Sequence, residues 1–135
     1  MMTGVRINAA IVFTLLAFVV PASGQTDPKV FQKLETAIPE GIRMLEAKKY
    51  EPFLKNFVPP ELYKKITSKI TPQKFSQEFA KRNAPRLLQV LKEIKGKTPT
   101  YSNEGMRATY ELTAPIAGKK SISFNKINNH WYVKN

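Results

Sequence analysis

The residue types best suited to chemistry gather at one end of this chain. Ser121 to Asn135 reads SISFNKINNHWYVKN and holds the only His, His130, and the only Trp, Trp131. An imidazole can move protons near neutral pH, but as a general base it needs a partner to orient it. Asp27 is the only Asp and stands far from the hairpin in sequence, and Glu111, the nearest acid on a neighbouring strand, is expected on that strand's outward side. Lys126 falls beside Trp131 if the segment is a hairpin, a cation–π arrangement able to line a pocket. The same Trp equally serves as the largest core residue. One His, no Cys and scattered Glu give no metal-ligand cluster. There is no G-x-S-x-G turn and no glycine-rich phosphate loop, since Gly41, Gly96, Gly105 and Gly118 stand singly. The sequence therefore assigns no catalytic residue, no metal and no cofactor. Its ligand or interface candidates are Lys126, Ile127, His130 and Tyr132.

Positioning these residues falls to a tight turn. Asn128-Asn129 fits a two-residue type I′ turn, because Asn tolerates the positive φ needed at both places. That turn sets Ile127 opposite His130, Lys126 opposite Trp131, Asn125 opposite Tyr132 and Phe124 opposite Val133. One face then carries Ile122, Phe124, Lys126, Trp131 and Val133, the core face. The other carries Ser123, Asn125, Ile127, His130 and Tyr132, where apolar groups suit a homodimer or a binding patch.

Upstream, period two continues. Met106, Ala108, Tyr110 and Leu112 alternate with Arg107, Thr109 and Glu111, as a half-buried strand requires. Thr98 to Tyr101 reads as a short edge strand, Asn103-Glu104-Gly105 as a turn, Pro115 to Gly118 as a loop and Lys119 to Ile127 as a strand. Before Lys97 the period is helical and punctuated by proline. Asp27-Pro28 and Thr71-Pro72 read as helix starts. Pro39 is expected to interrupt the first helix, Tyr50-Glu51-Pro52 to make a second break and Pro59-Pro60 to open a further segment. Pro85 either kinks a long helix or begins a new one at Ala84. Leu87, Leu88, Val90, Leu91 and Ile94 then share one face of an amphipathic helix ending at Gly96. Helices over 28–96 followed by strands over 98–134 predict an α+β fold, with helices on one face of a roughly four-stranded antiparallel meander.

Residues 1–24 read differently. Arg6 precedes the apolar run Ala9 to Val20, Pro21 ends it, and Ala22-Ser23-Gly24 offers a cleavage site. This is the pattern of a secretory signal peptide, and the run is shorter than the roughly 20 residues of a spanning helix. The expected mature domain is 25–135, exported to a periplasm or secreted. It carries no disulfide. The formal charge is +12, and between Lys48 and Lys97 there are 13 basic and 4 acidic residues. Such a balance suits an anionic surface polymer or a solvated lysine-rich surface. Nucleic acid is disfavoured, because the exposed arcs lack interleaved aromatics.

In order and pattern the chain resembles the nuclear transport factor two-like superfamily, grouped with cystatin-like α+β folds. The resemblance spans about 40–135 and rests on EGIRMLEAKKYEPFLKNFVPPE, on LLQVLKEIKG and on the terminal ISFNKINNHWYVKN. It implies a cone, with helices wrapping a curved sheet around a pocket. The superfamily includes isomerases, dehydratases and cyclases as well as binding modules, so the fold alone does not choose among them. No position here matches the family's catalytic Asp. The reading is an exported, non-enzymatic module with a small-ligand or protein partner. Two alternatives stand beside it: a lyase or isomerase using His130 with Tyr101 or Tyr110, and an electrostatic binder of anionic polymer.

Overall fold

A computed structural model describes residues 26–134; the segment read as a signal peptide lies outside them. The order is a 3₁₀ turn (Pro28–Gln32), then α1 (Leu34–Glu46), α2 (Tyr50–Phe57), α3 (Pro60–Thr67), α4 (Pro72–Arg82) and α5 (Ala84–Ile94). Four strands follow: β1 (Thr100–Ser102), β2 (Arg107–Ile116), β3 (Lys119–Ile127) and β4 (His130–Val133). They form one sheet in the order β1-β2-β3-β4, each antiparallel to the next. The fold is α+β, as the change of period at Lys97 implies. Among the described residues no helix is long and apolar enough to cross a membrane.

The helix starts follow from side chains. The Asp27 carboxylate accepts from the Lys29 N–H at 2.9 Å, and the Thr71 hydroxyl from the Lys74 N–H at 3.1 Å, each before a proline at the first helical position. Pro60 also takes the first position of α3, but Pro59 before it offers no side-chain cap. Pro85 lies in the first turn of α5, so the chain makes two helices rather than one kinked one.

Pro39 does not interrupt its helix. It sits inside α1, one turn beyond the start. There it removes one hydrogen bond, to the carbonyl of the exposed Glu35, while Ala37, Ile38, Ile42, Met44 and Leu45 continue one buried face. The expected break at Tyr50 falls earlier as well. Lys48 takes a positive φ of 59°, and Tyr50-Glu51-Pro52 is the first turn of α2. Proline in a first turn lacks only an N–H that had no partner there.

The sheet departs from expectation at two points. Met106 precedes β2 and is exposed, whereas Ala108 and Tyr110 are buried. β2 continues through Pro115 to Ile116, and Ala117 and Gly118 alone make the turn, with φ of 52° and 81°. Pro115 is tolerated because β1 pairs only with Arg107–Thr109, leaving β2 an edge at that point. The terminal hairpin has the expected register, with Asn128 and Asn129 at φ of 50° and 62°.

The core lies between helices and sheet. α5 packs on β2, α1 packs on α5, and α2 reaches β4. Phe31, Phe53, Phe57, Leu91, Ile94 and Phe124 are its largest fully buried side chains. Phe53 stacks on Phe57 at 4.5 Å and on Phe79 at 5.6 Å, while Phe31 meets Phe57 edge-on at 5.5 Å.

Candidate functional site

The terminal hairpin divides its residues between the two sheet faces. Tyr101, Ala108 and Phe124 are cross-strand partners in turn, so they share one face with Trp131, Tyr110 and Val133. Trp131 is buried there, 6.3 Å from Tyr101, and Lys126 Nζ stands 5.7 Å from the Trp131 ring. The cation–π pair forms, on a Trp that belongs to the core.

His130 lies on the opposite face. Its ring is stacked between Phe31 at 5.0 Å and Tyr132 at 4.3 Å, both within 16° of parallel. Nε2 is 2.8 Å from the Asn56 carbonyl. A carbonyl only accepts, so Nε2–H donates, and it satisfies one of the orphan carbonyls in the last turn of α2. His130 thus fastens β4 to α2 across 74 positions of sequence. Tyr132, expected on the open outer side, is only 9% exposed, while Ile127 is 39% exposed. The patch foreseen on that face shrinks to Ile127.

This division bears on proton chemistry. Tyr101 and Tyr110 occupy the face opposite His130, so the structure does not bring the imidazole to either phenol. Burial, then the neighbouring Tyr101 and Glu35, pushes the Tyr110 hydroxyl up to about 12. It keeps its proton at neutral pH. Among the described residues no group of three His, Cys, Asp or Glu could hold a metal ion.

A different region offers a site. An open cleft of about 660 Å³ runs between α2–α5 and the far end of the sheet. Its floor is the aromatic cluster of Phe53, Phe57 and Phe79. Its walls include Leu62 and Ile66 of α3, Phe75 of α4, Leu87 of α5, Ile122 of β3 and Val133 of β4, all half-buried. Extended backbone at Val58, Pro59 and Thr71 separates α2 from α3 and α3 from α4, and Leu62, Ile66 and Phe75 of the later helices reach the cleft. The strands open it too. β4 pairs only with Phe124–Ile127, so the first half of β3 has no partner on that side among the described residues.

The polar groups of the cleft are Asn83, Arg86, Lys119, Ser121, Ser123 and Lys134. No acidic residue lines it. Arg86, Lys119 and Lys134 are exposed, and among the described residues the five ion pairs involve none of them. The backbone contributes as well. The Ser123 carbonyl accepts from the Lys134 N–H at 2.9 Å on the β4 side, whereas the Lys126 N–H donates to Met106 at 2.8 Å on the β2 side. Backbone groups alternate along a strand, so Ser121 turns its N–H and C=O away from β2, toward the cleft.

None of Lys126, Ile127, His130 and Tyr132 lines this cleft. Its residues come from seven elements, and no short motif marks them. Leu62 and Ile66 after Pro59 and Phe75 after Pro72 carry its apolar walls, but in sequence each reads equally as an ordinary core position. Comparison with protein-family models, with curated proteins and with solved structures finds no match to this chain.

Proposed function

We propose that this chain is an exported, non-enzymatic binding module that holds a small, largely apolar ligand in the cleft between its helices and sheet. One observation carries the reading: Leu62, Ile66, Phe75, Leu87, Ile122 and Val133 surround about 660 Å³ of open space above a phenylalanine floor. Ligand clefts occupy roughly 300–1,000 Å³ and combine apolar walls with a few polar groups. The leader pattern in 1–24 supports export. The order of elements supports a nuclear transport factor two-like cone, in which a pocket between helices and sheet is expected. An enzymatic role draws no support from His130, whose ring and Nε2 are engaged in fastening β4 to α2.

The test is a titration with the neutral, environment-sensitive dye N-phenyl-1-naphthylamine. Saturable uptake with one dye per chain is expected. Leu62→Trp, which fills the cleft from a half-buried wall, should weaken uptake about tenfold, or 1.4 kcal/mol. Absence of saturable uptake, or an unaffected variant, counts against a ligand cleft.

A further inference from the structure

We infer that the ligand is an anionic amphiphile: an alkyl or acyl chain ending in a carboxylate or a phosphate. This rests on the cleft being a ligand site and adds what the ligand must carry. The tail follows from the walls, which are aliphatic and aromatic from Phe57 to Val133 with no buried polar side chain among them. The head follows from charge. Arg86 from α5, Lys119 from the start of β3 and Lys134 after β4 border the cleft, and among the described residues no Asp or Glu lines it.

Among the described residues five cations are paired with acids, Arg43 with Glu40, Lys74 and Arg82 with Glu78, Lys92 with Glu46 and Lys97 with Glu93; Arg86, Lys119 and Lys134 are among those that are not. Every Glu in those pairs lies outside the cleft lining. Three cations with no ion-pair partner among the described residues, at the mouth of an apolar cleft, favour a negative group there, and a charge-assisted hydrogen bond is about twice as strong as a neutral one. Asn83 and the Ser121 N–H, which has no backbone partner among the described residues, supply further donors for the oxygens of the same head.

The experiment displaces N-phenyl-1-naphthylamine from the chain beginning at Gln25, which contains the whole folded core. Three competitors share one tail: decanoate, decyl phosphate and decan-1-ol. At least one of the two anions should displace the dye about tenfold more tightly than the alcohol. The stronger anion identifies the source, a free acid or a phosphate headgroup. The double variant Arg86→Gln, Lys119→Gln should remove that preference while leaving the alcohol unchanged. The double variant Lys69→Gln, Lys81→Gln loses the same charge outside the cleft and should keep it. Equal displacement by alcohol and anions overturns the inference and leaves the cleft reading standing. Equal loss in both double variants also overturns it, since the effect would then be net charge. A short uncharged peptide displacing the dye more tightly than either anion overturns it in favour of strand addition at Ser121. If the dye itself does not bind saturably, both readings fall.

Discussion

The Glu93 carboxylate, in the last turn of α5, accepts hydrogen bonds from both the hydroxyl and the backbone N–H of Thr113 on β2, at 2.7 and 3.3 Å. Lys97 completes the contact, its Nζ 2.7 Å from Glu93 and 3.1 Å from the Thr113 hydroxyl. Thr113 lies within the stretch between Glu111 and Ile116 where β2 and β3 lose register. The cluster therefore pins an irregular part of the sheet that its own ladder does not hold.

These bonds should make stability depend on pH. Lys97 first, then Thr113, draw the Glu93 carboxyl from 4.5 down to about 2. A group whose pKa is lower in the folded state stabilises above its unfolded pKa and loses that contribution as pH falls through its folded pKa. The melting temperature of Glu93→Gln should thus lie below that of the natural chain at pH 6. The gap should close between pH 4.5 and about 2. A gap that stays constant over this window would assign the effect to shape rather than charge.

His130 should matter for stability and not for ligand uptake. His130→Ala loses a hydrogen bond worth about 1 kcal/mol and stacking on Phe31 and Tyr132 worth about 0.5–1.5 kcal/mol per pair. A total loss of about 2–4 kcal/mol is expected by urea unfolding. His130→Phe keeps the stacking and should recover about half of it. Dye uptake should match that of the natural chain, because His130 does not line the cleft. Loss of uptake in His130→Phe at full stability would return the histidine to the site.

How far the sequence revealed this molecule depends on range. The Asn128-Asn129 turn was legible because two adjacent residues with positive φ determine register by themselves. The caps at Asp27 and Thr71 were legible for the same reason, since a side chain three or fewer residues away decides them. Pro39 and Pro115 were misjudged because the cost of a missing N–H depends on whether a partner waited for it. In α1 that is one carbonyl near a helix start, and in β2 it is an edge β1 is too short to cover. The cleft was beyond reach because its lining is spread along the chain from Phe53 to Lys134. The half-buried state of Leu62 or Phe75 is decided by how helices and strands distant in sequence pack together, and no spacing records that. His130 misled most: a rare, reactive side chain proved to be a fastening between β4 and α2.

Gly41 tests how tightly α1 meets the core. In a helix interior Ala is better than Gly by about 1 kcal/mol. Here a Cβ would lie 3.0 Å from Phe57 Cζ and 3.3 Å from both Leu91 and Phe53. Those three side chains are fully buried, and Phe53 and Phe57 are held by stacking on each other and, for Phe53, on Phe79. Overpacking of this kind costs about 1–3 kcal/mol. Gly41→Ala should therefore be net destabilising by about 1 kcal/mol in urea unfolding. A stabilised variant would mean that the phenylalanine cluster is loosely held.

Tyr63 and Ser76 present the opposite case, side chains whose polar atoms contribute nothing visible. The Tyr63 hydroxyl on α3 and the Ser76 hydroxyl on α4 are buried and have no hydrogen-bond partner among the described residues. Burial, then the nearby Glu51, raises the Tyr63 pKa, so the hydroxyl stays neutral. A buried hydroxyl without a partner costs about 1–3 kcal/mol. The Tyr63 ring still packs against Phe75 at 6.0 Å. Tyr63→Phe keeps that packing and removes the unsatisfied atom without stranding another. It should be neutral or stabilising by up to about 1 kcal/mol, and Ser76→Ala should behave alike. The double variant decides whether the two hydroxyls act separately. Independent atoms give additive changes within about 0.5 kcal/mol. If each single variant instead destabilises and the double costs no more than one of them, a shared water joins α3 to α4.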